Sequence, residues 1–218
     1  MEFLEPPAGV TSSEYEEIVA RCQNLPKAKG NYIINDYVEN VLLTVLDFQM
    51  RTTTVERAAN YYQKNVKQTV NTHQELKQLL AGQPDTKAGN QEIAQYLWGY
   101  RLWTRVALLR RLLHYLESEN VTTQEQLKTW ANKTTFADFQ GKVKGAGFAI
   151  FKWLIMRQGV ETIKPDVWVH RFIAQAISRS VSNETAVVVL EQAAKNLDIP
   201  AYELDWRIWE YQRDLPQT

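Results

Sequence analysis

Asp166 stands in the stretch "IKPDVWVHRF", Ile163 to Phe172, where a Lys-Pro-Asp run meets an apolar-periodic segment carrying Trp168, His170 and Arg171. Two readings of this carboxylate are compatible. Asp is among the best helix N-caps, because its side chain accepts hydrogen bonds from the first orphaned backbone N–H groups. A carboxylate held at a helix N-terminus can also do chemistry, by stabilising a developing cation or by orienting or deprotonating a water. For that work it must be ionised. The helix N-terminus, Lys164 and Arg171 favour the charged form, whereas burial opposes it.

A second chemistry-bearing stretch lies upstream, "FADFQGKVKGAGFAIFKWLIMRQG". The pattern predicts a short helix ending near Phe139, a tight turn "KVKGAG", and a longer apolar helix from about Gly147. Gly145 and Gly147 flank one small residue, and glycine permits positive φ and close backbone approach. A Gly-x-Gly turn opening a helix points N–H groups outward, which makes a phosphate site. Lys142 and Lys144 lie beside it. The plain alternative is an αα-hairpin with glycine caps. Other chemistries find no support. His73, His114 and His170 are far apart in sequence and lack metal-ligand spacing. His170 reads as a packed or surface histidine. There is no Gly-x-Ser-x-Gly elbow and no Walker loop. With Cys22 as the single cysteine, a disulfide framework and a four-cysteine zinc or iron–sulfur site are excluded. No metal and no cofactor are expected.

The elements that must position these residues are helical throughout. Ser13-x-x-Glu16, Thr53-x-x-Glu56, Thr72-x-x-Glu75 and Thr122-x-x-Glu125 match the capping-box pattern ahead of apolar-periodic runs. Further amphipathic segments include "RLWTRVALLRRLLHYLES", "GFAIFKWLIMRQ", "VWVHRFIAQAIS" and "AYELDWRIWEYQR". "AVVVL" alone suits a strand, but its continuation into "EQAAKNL" keeps helical spacing. "QPDTKAGN", "ESENVTT", "QGKVKGAG", "QGVETIKPD" and "LDIP" read as turns. The expected architecture is all-α, with about ten to twelve short helices.

The 218 residues carry seven Trp and ten Tyr, enough for a globular core. No apolar run is long enough for a membrane span, and "MEFLEPPAGV" does not read as a secretory signal. The chain therefore reads as soluble and intracellular. Net charge is zero, which argues against a simple basic nucleic-acid binder. Its distribution is uneven. Between Gly141 and Arg179 there are seven basic residues against two acids, between Arg101 and Leu113 four arginines and no acid, and the first twenty residues hold five glutamates and no Lys or Arg. This suggests one face that meets a polyanion, or else ordinary solvated helix faces.

The hairpin Val143-Lys144-Gly145-Ala146-Gly147, followed nineteen residues past Gly147 by Asp166 and then by Arg171, resembles the helix-hairpin-helix (HhH-GPD, endonuclease III-like) DNA glycosylase superfamily. That family carries Leu-Pro-Gly-Val-Gly, then, after one helix, Val-Asp-Thr-His-x-x-Arg. "ENVLLTVLDFQMRTTTVERAANYY" is similar to the family's first barrel helix and its Gln-containing loop, and "LWGYRLWTRVALLRRLLHYL" to the Gly-x-x-x-x-Lys-Ala region. The similarity runs from about Tyr32 to Arg179. Three departures stand out. Ala149 occupies the position of the family's lyase lysine, Phe151 replaces an alanine, and Trp168 replaces the usual histidine.

The resemblance implies two lobes, residues 32–156 with the hairpin, and residues 1–31 plus 157–218 carrying Asp166. It implies a monofunctional glycosylase without lyase activity, hydrolysing the bond between sugar and a damaged base, alkylated bases included, in base-excision repair. Asp166 would be the catalytic carboxylate. Lys142, Lys144, Gly145, Gly147, Gln49 and Arg171 would meet DNA. The partner would be double-stranded DNA with the base flipped out. Among Trp98, Tyr100, Trp103, Trp153 and Trp168, most aromatics at helical spacing belong to the core, and Trp168 and Trp103 are the candidates for the base pocket. The chain would act as a monomer in the cytoplasm, associated with the nucleoid, or otherwise inside the cell. Two alternatives stay open: a DNA-binding module that keeps the hairpin without catalysis, and a helical scaffold that binds protein.

Overall fold

A computed structural model describes residues 5–47 and 50–215. Among them the fold is all-α, with twelve helices and no strand. The chain divides into two compact units, Ile34–Leu154 and Met1–Ile33 with Ile155–Thr218.

The unit Ile34–Leu154 is built on α2 (Tyr37–Leu46), whose sequence YVENVLLTVL is apolar around nearly its whole circumference. Such a helix must be covered on all sides. It packs against α3 (Thr52–Asn65), α4 (His73–Ala81) and α6 (Trp103–Ser118), and α5 (Lys87–Trp98) lies against α3 and α6. Gly99 ends α5 in the left-handed region at φ 70°, where a Cβ would sit 3.1 Å from the Tyr61 ring. After α7 (Gln124–Ala131) come the short α8 (Phe136–Phe139) and α9 (Phe148–Met156). An aromatic cluster joins these helices: Phe139 lies 5.3 Å from both Tyr115 and Phe151, Phe136 lies 4.9 Å from Phe148, and Trp130 packs edge-on to Phe151. Phe151 is thus a core residue, 2% exposed, and its size is used to fill this cluster.

In the other unit, α1 (Ser12–Gln23), α10 (Val167–Ile177), α11 (Asn183–Asn196) and α12 (Ala201–Asp214) pack on one another. "AVVVL" lies inside α11, so helical spacing prevails there. Arg179 ties the chain ahead of α1 to the end of α10, donating to Glu14 at 2.6 Å and to the Gly9 carbonyl at 2.9 Å. Residues 29–33 lie against α12: Lys29 N–H donates to Glu210, and the Tyr32 ring packs tilted against Trp206 with centroids 4.4 Å apart.

The helix starts agree with the capping expectations only in part. Thr72 forms the expected box with Glu75. The first box is Thr11 with Glu14, not Ser13 with Glu16, because α1 starts earlier, at Ser12. The seventh helix is boxed by Thr123 with Gln126 instead of Thr122 with Glu125. Thr53 caps nothing: it lies inside α3, whose N-cap Arg51 makes no side-chain cap. The "QPDTKAGN" turn is also shorter than expected, since Thr86 caps α5 and "KAGN" is already helical. At the first and seventh helices a neighbouring Thr supplies an equivalent acceptor, and packing selects the register. No helix among the described residues is long and apolar enough to cross a membrane.

Candidate functional site

The segment ahead of α10 is pinned from both ends. Ile163 and Pro165 are buried, which fixes the path of the chain. Lys164 N–H donates to Asp205 Oδ1 at 2.9 Å, and Asp166 N–H turns back to the Lys164 carbonyl at 2.8 Å. Asp166 is the N-cap of α10. Its Oδ1 accepts from Trp168 N–H at 2.9 Å and from Val169 N–H at 3.3 Å. Its Oδ2 lies 3.6 Å from Lys164 Nζ, and the side chain is 25% exposed. The carboxylate is therefore held by a helix N-terminus and a cation while a quarter of it meets solvent, an arrangement suited to stabilising a positive charge nearby.

Around it, Arg171 is exposed and its guanidinium lies 5.2 Å over the Trp168 ring, a cation–π contact that covers one face of the indole. His170 is half-buried, and its Nε2 is hydrogen-bonded to Asn183 Oδ1 at 2.8 Å. Asp166, Lys164, Trp168 and Arg171 are brought together in one unit.

The residue sequence reasoning missed is Asp205. It is 4% exposed, on the buried stripe of α12 that also holds Ala201, Leu204 and Ile208. Burial above all, and then the charge of Asp166, push its carboxyl up to about 8. The Lys164 N–H, the Lys164 charge and the Tyr32 hydroxyl offset only part of this. A signal was available: in "AYELDWRIW" an acid occupies a core position of an amphipathic helix, where acids are rare unless paired or protonated.

The turn region belongs to the unit Ile34–Leu154. Gly145 adopts φ 94°, so a side chain there would be strained. Gly147 is not in the left-handed region, and a Cβ added there would meet no atom within 4 Å, so neither conformation nor space requires glycine at that position. Val143 and Ala146 point into the core, at 2% and 9% exposure, which leaves Lys142, Lys144, Gly145 and Gly147 outside. Among the described residues the amides of Gly145 and Gly147 donate to no protein acceptor. Arg111 Nε, from α6, donates to the Lys144 carbonyl at 2.8 Å and anchors the turn. Lys142 also borders an open groove of about 980 Å³ whose walls include Glu119, Glu125, Lys133 and Asp138, so its surroundings are of mixed charge.

The arginine-rich α6 proves partly structural. Arg110 donates to Asn90 Oδ1 and to the Gln83 carbonyl, and Arg111 serves the turn. Arg179 is committed to Glu14, and Arg157 is buried. A count of basic residues thus overstates the charge free to meet a polyanion. Among the candidate aromatics, Trp98 and Trp153 are core residues at 1% and 4% exposure, whereas Trp103 opens α6 at 38%. Gln49 lies outside the described residues. Cys22 is buried and its thiol is pushed up to about 12 by burial, so it offers no thiolate chemistry. Among the described residues no group of three or more His, Cys, Asp or Glu could hold a metal ion.

No curated protein matches the chain. Its residues 16–213, from within α1 to within α12, match the family described as Domain of unknown function (DUF8548), and the protein belongs to that family.

Proposed function

We propose that the chain is a monofunctional DNA glycosylase of the helix-hairpin-helix type, hydrolysing the N-glycosidic bond of a damaged base in double-stranded DNA. The observation that carries this reading is Asp166, a partly exposed carboxylate with Oδ1 turned to the amides of α10 and Oδ2 turned to Lys164. A nucleotide flipped from the duplex would present its sugar to this carboxylate. As the base–sugar bond breaks, the bonding pair leaves with the base, which takes up a proton. C1′ acquires oxocarbenium character, which the carboxylate stabilises. Water then adds to C1′ and releases a proton, leaving an intact abasic strand.

The Lys142–Gly147 turn is the proposed phosphate grip, with two exposed lysines, two uncommitted amides and an anchor in Arg111. Ala149 supplies no amine, so the reading excludes a Schiff base. Trp168, whose backbone N–H is bonded by Asp166, is proposed for the base pocket. An electron-rich ring favours a cationic alkylated base, and Trp168 would offer its covered face once Arg171 moves off it. The proposal places the protein with DNA, at the nucleoid, as a monomer. A second reading, a DNA-binding module without catalysis, is favoured by the same cap, because both amides bonded by Asp166 are purely structural partners.

The test is Asp166→Asn. Asn caps nearly as well as Asp, so stability should change by roughly 1 kcal/mol or less. Base release from a panel of damaged duplexes should fall about a hundredfold or more, as when one electrostatic stabiliser is removed. DNA affinity should persist. Unchanged base release with a large loss of melting temperature would make Asp166 a cap and nothing more. Wild-type DNA binding with no base released from any duplex would favour the module.

A further inference from the structure

Two carboxyls and one lysine meet ahead of α10. Asp205 reaches up from the core of α12 to the backbone of Lys164, and Asp166 sits two residues on, beside the Lys164 ammonium. The contacts form one chain: Asp205 Oδ1 holds the Lys164 amide at 2.9 Å, the Lys164 carbonyl holds the Asp166 amide at 2.8 Å, and Asp166 Oδ1 holds the first amides of α10. These bonds set where the Asp166 carboxylate stands, so the position of α12 is transmitted to it through Lys164. The Tyr32 hydroxyl bonds Asp205 as well, and the Tyr32 ring packs tilted against Trp206, the residue after Asp205.

We propose that Asp205 is a positioning residue for Asp166, acting through the Lys164 turn that its buried carboxyl holds. This inference rests on the glycosylase reading for its functional consequence.

The physical argument is one of charge count. A fully desolvated carboxylate is costly unless paired, and two carboxylates served by a single ammonium repel each other. The groups acting on Asp205 are Asp166 from the cap of α10, Lys164 from the preceding segment, and Tyr32 from the segment against α12. Of these only Lys164 is cationic, and its Nζ lies 3.6 Å from Asp166 Oδ2. A neutral Asp205 therefore leaves Lys164 to Asp166. Its burial, which pushes the carboxyl up to about 8, keeps that state through neutral pH. Once Asp205 ionises, it competes for Lys164 and repels Asp166, and the turn carrying the cap loosens.

The experiment has two arms on the full-length protein. Carboxyl carbon NMR, without DNA, should find one aspartate titrating near 8 in the wild type. The signal should be absent in Asp205→Asn and should move to lower pH in Asp166→Asn, because a repelling charge has gone. In the second arm, the pH profile of single-turnover base release should fall above about pH 8 in the wild type, and this limb should be missing in Asp205→Asn. Asp205→Ala, which removes the acceptor for Lys164 N–H, should lower kcat about tenfold with KM nearly unchanged. An Asp205 titration that does not respond to Asp166→Asn overturns the inference whatever the activity. The inference also fails if Asp205→Asn and wild type share one alkaline limb. Absence of base release from the wild type, with the NMR coupling intact, instead overturns the glycosylase reading and leaves the carboxyl pair in place.

Discussion

Replacing Asp205 by Asn should make the stability of the fold almost independent of one proton that the wild type must keep. The folded-state carboxyl titrates at about 8, some four pH units above the ordinary aspartate value of 3.8. Between these values the folded protein holds a proton that the unfolded chain has released. The associated stability is fully present below the unfolded value and is lost as pH rises through the folded one. The slope is about 1.4 kcal/mol per pH unit, so the whole window spans a ceiling of about 6 kcal/mol. Relaxation and water entry reduce this, and roughly 3 kcal/mol between pH 5 and pH 8 is the expected change. Asparagine keeps an acceptor for Lys164 N–H and carries no titrating proton. At pH 5 the variant should therefore lie within about 1 kcal/mol of the wild type. By pH 8 it should be the more stable protein. Urea unfolding at pH 5, 6, 7 and 8, with equal m-values in both proteins, measures the difference directly. A wild-type-minus-variant gap that stays constant across this range would mean that Asp205 is already ionised in the fold, and the reasoning from burial would be wrong.

Three further outcomes concern the turn and its surroundings. Lys142→Glu with Lys144→Glu should weaken DNA binding more than tenfold and reduce the slope of log affinity against log salt by about two, one for each lost phosphate contact; an unchanged slope removes the turn from the interface. On a substrate that the wild type processes, borohydride should trap no covalent adduct, and the abasic strand should break only on later alkali treatment, since position 149 is alanine; a trapped adduct would reveal another amine as nucleophile. Phe151→Ala should cost about 3–5 kcal/mol in denaturant unfolding, because Phe151 packs on Phe139, Phe136 and Trp130 at 2% exposure; a loss below about 1 kcal/mol would mean the cluster closes around the gap.

The register of the caps illustrates how far local pattern carries. Thr72 and Glu75 could be paired from sequence because no competing hydroxyl precedes them at the same spacing. At the first and seventh helices several polar residues compete, Thr11 with Ser12 and Ser13, and Thr122 with Thr123. There the choice falls to whichever register buries Tyr15 and Ile18, or Leu127 and Trp130. At α3 three successive threonines, Thr52 to Thr54, all lie inside the helix, so none of them caps it.

Sequence by itself determined the all-α class seen in the described residues, since periodicity and caps are local properties; about ten to twelve helices are expected from them and twelve are found among those residues. It also located the cap role of Asp166, which needs only amides two and three residues further on. Tertiary structure alone decided what the charges do. Arg110, Arg111 and Arg179 look like free cations in the sequence, yet their partners at Asn90, Lys144 and Glu14 lie 20, 33 and 165 residues away. Asp205 meets Lys164 across 41 residues. A side chain's protonation and availability depend on burial and on neighbours brought together by packing, and neither quantity is written in the spacing of one helix.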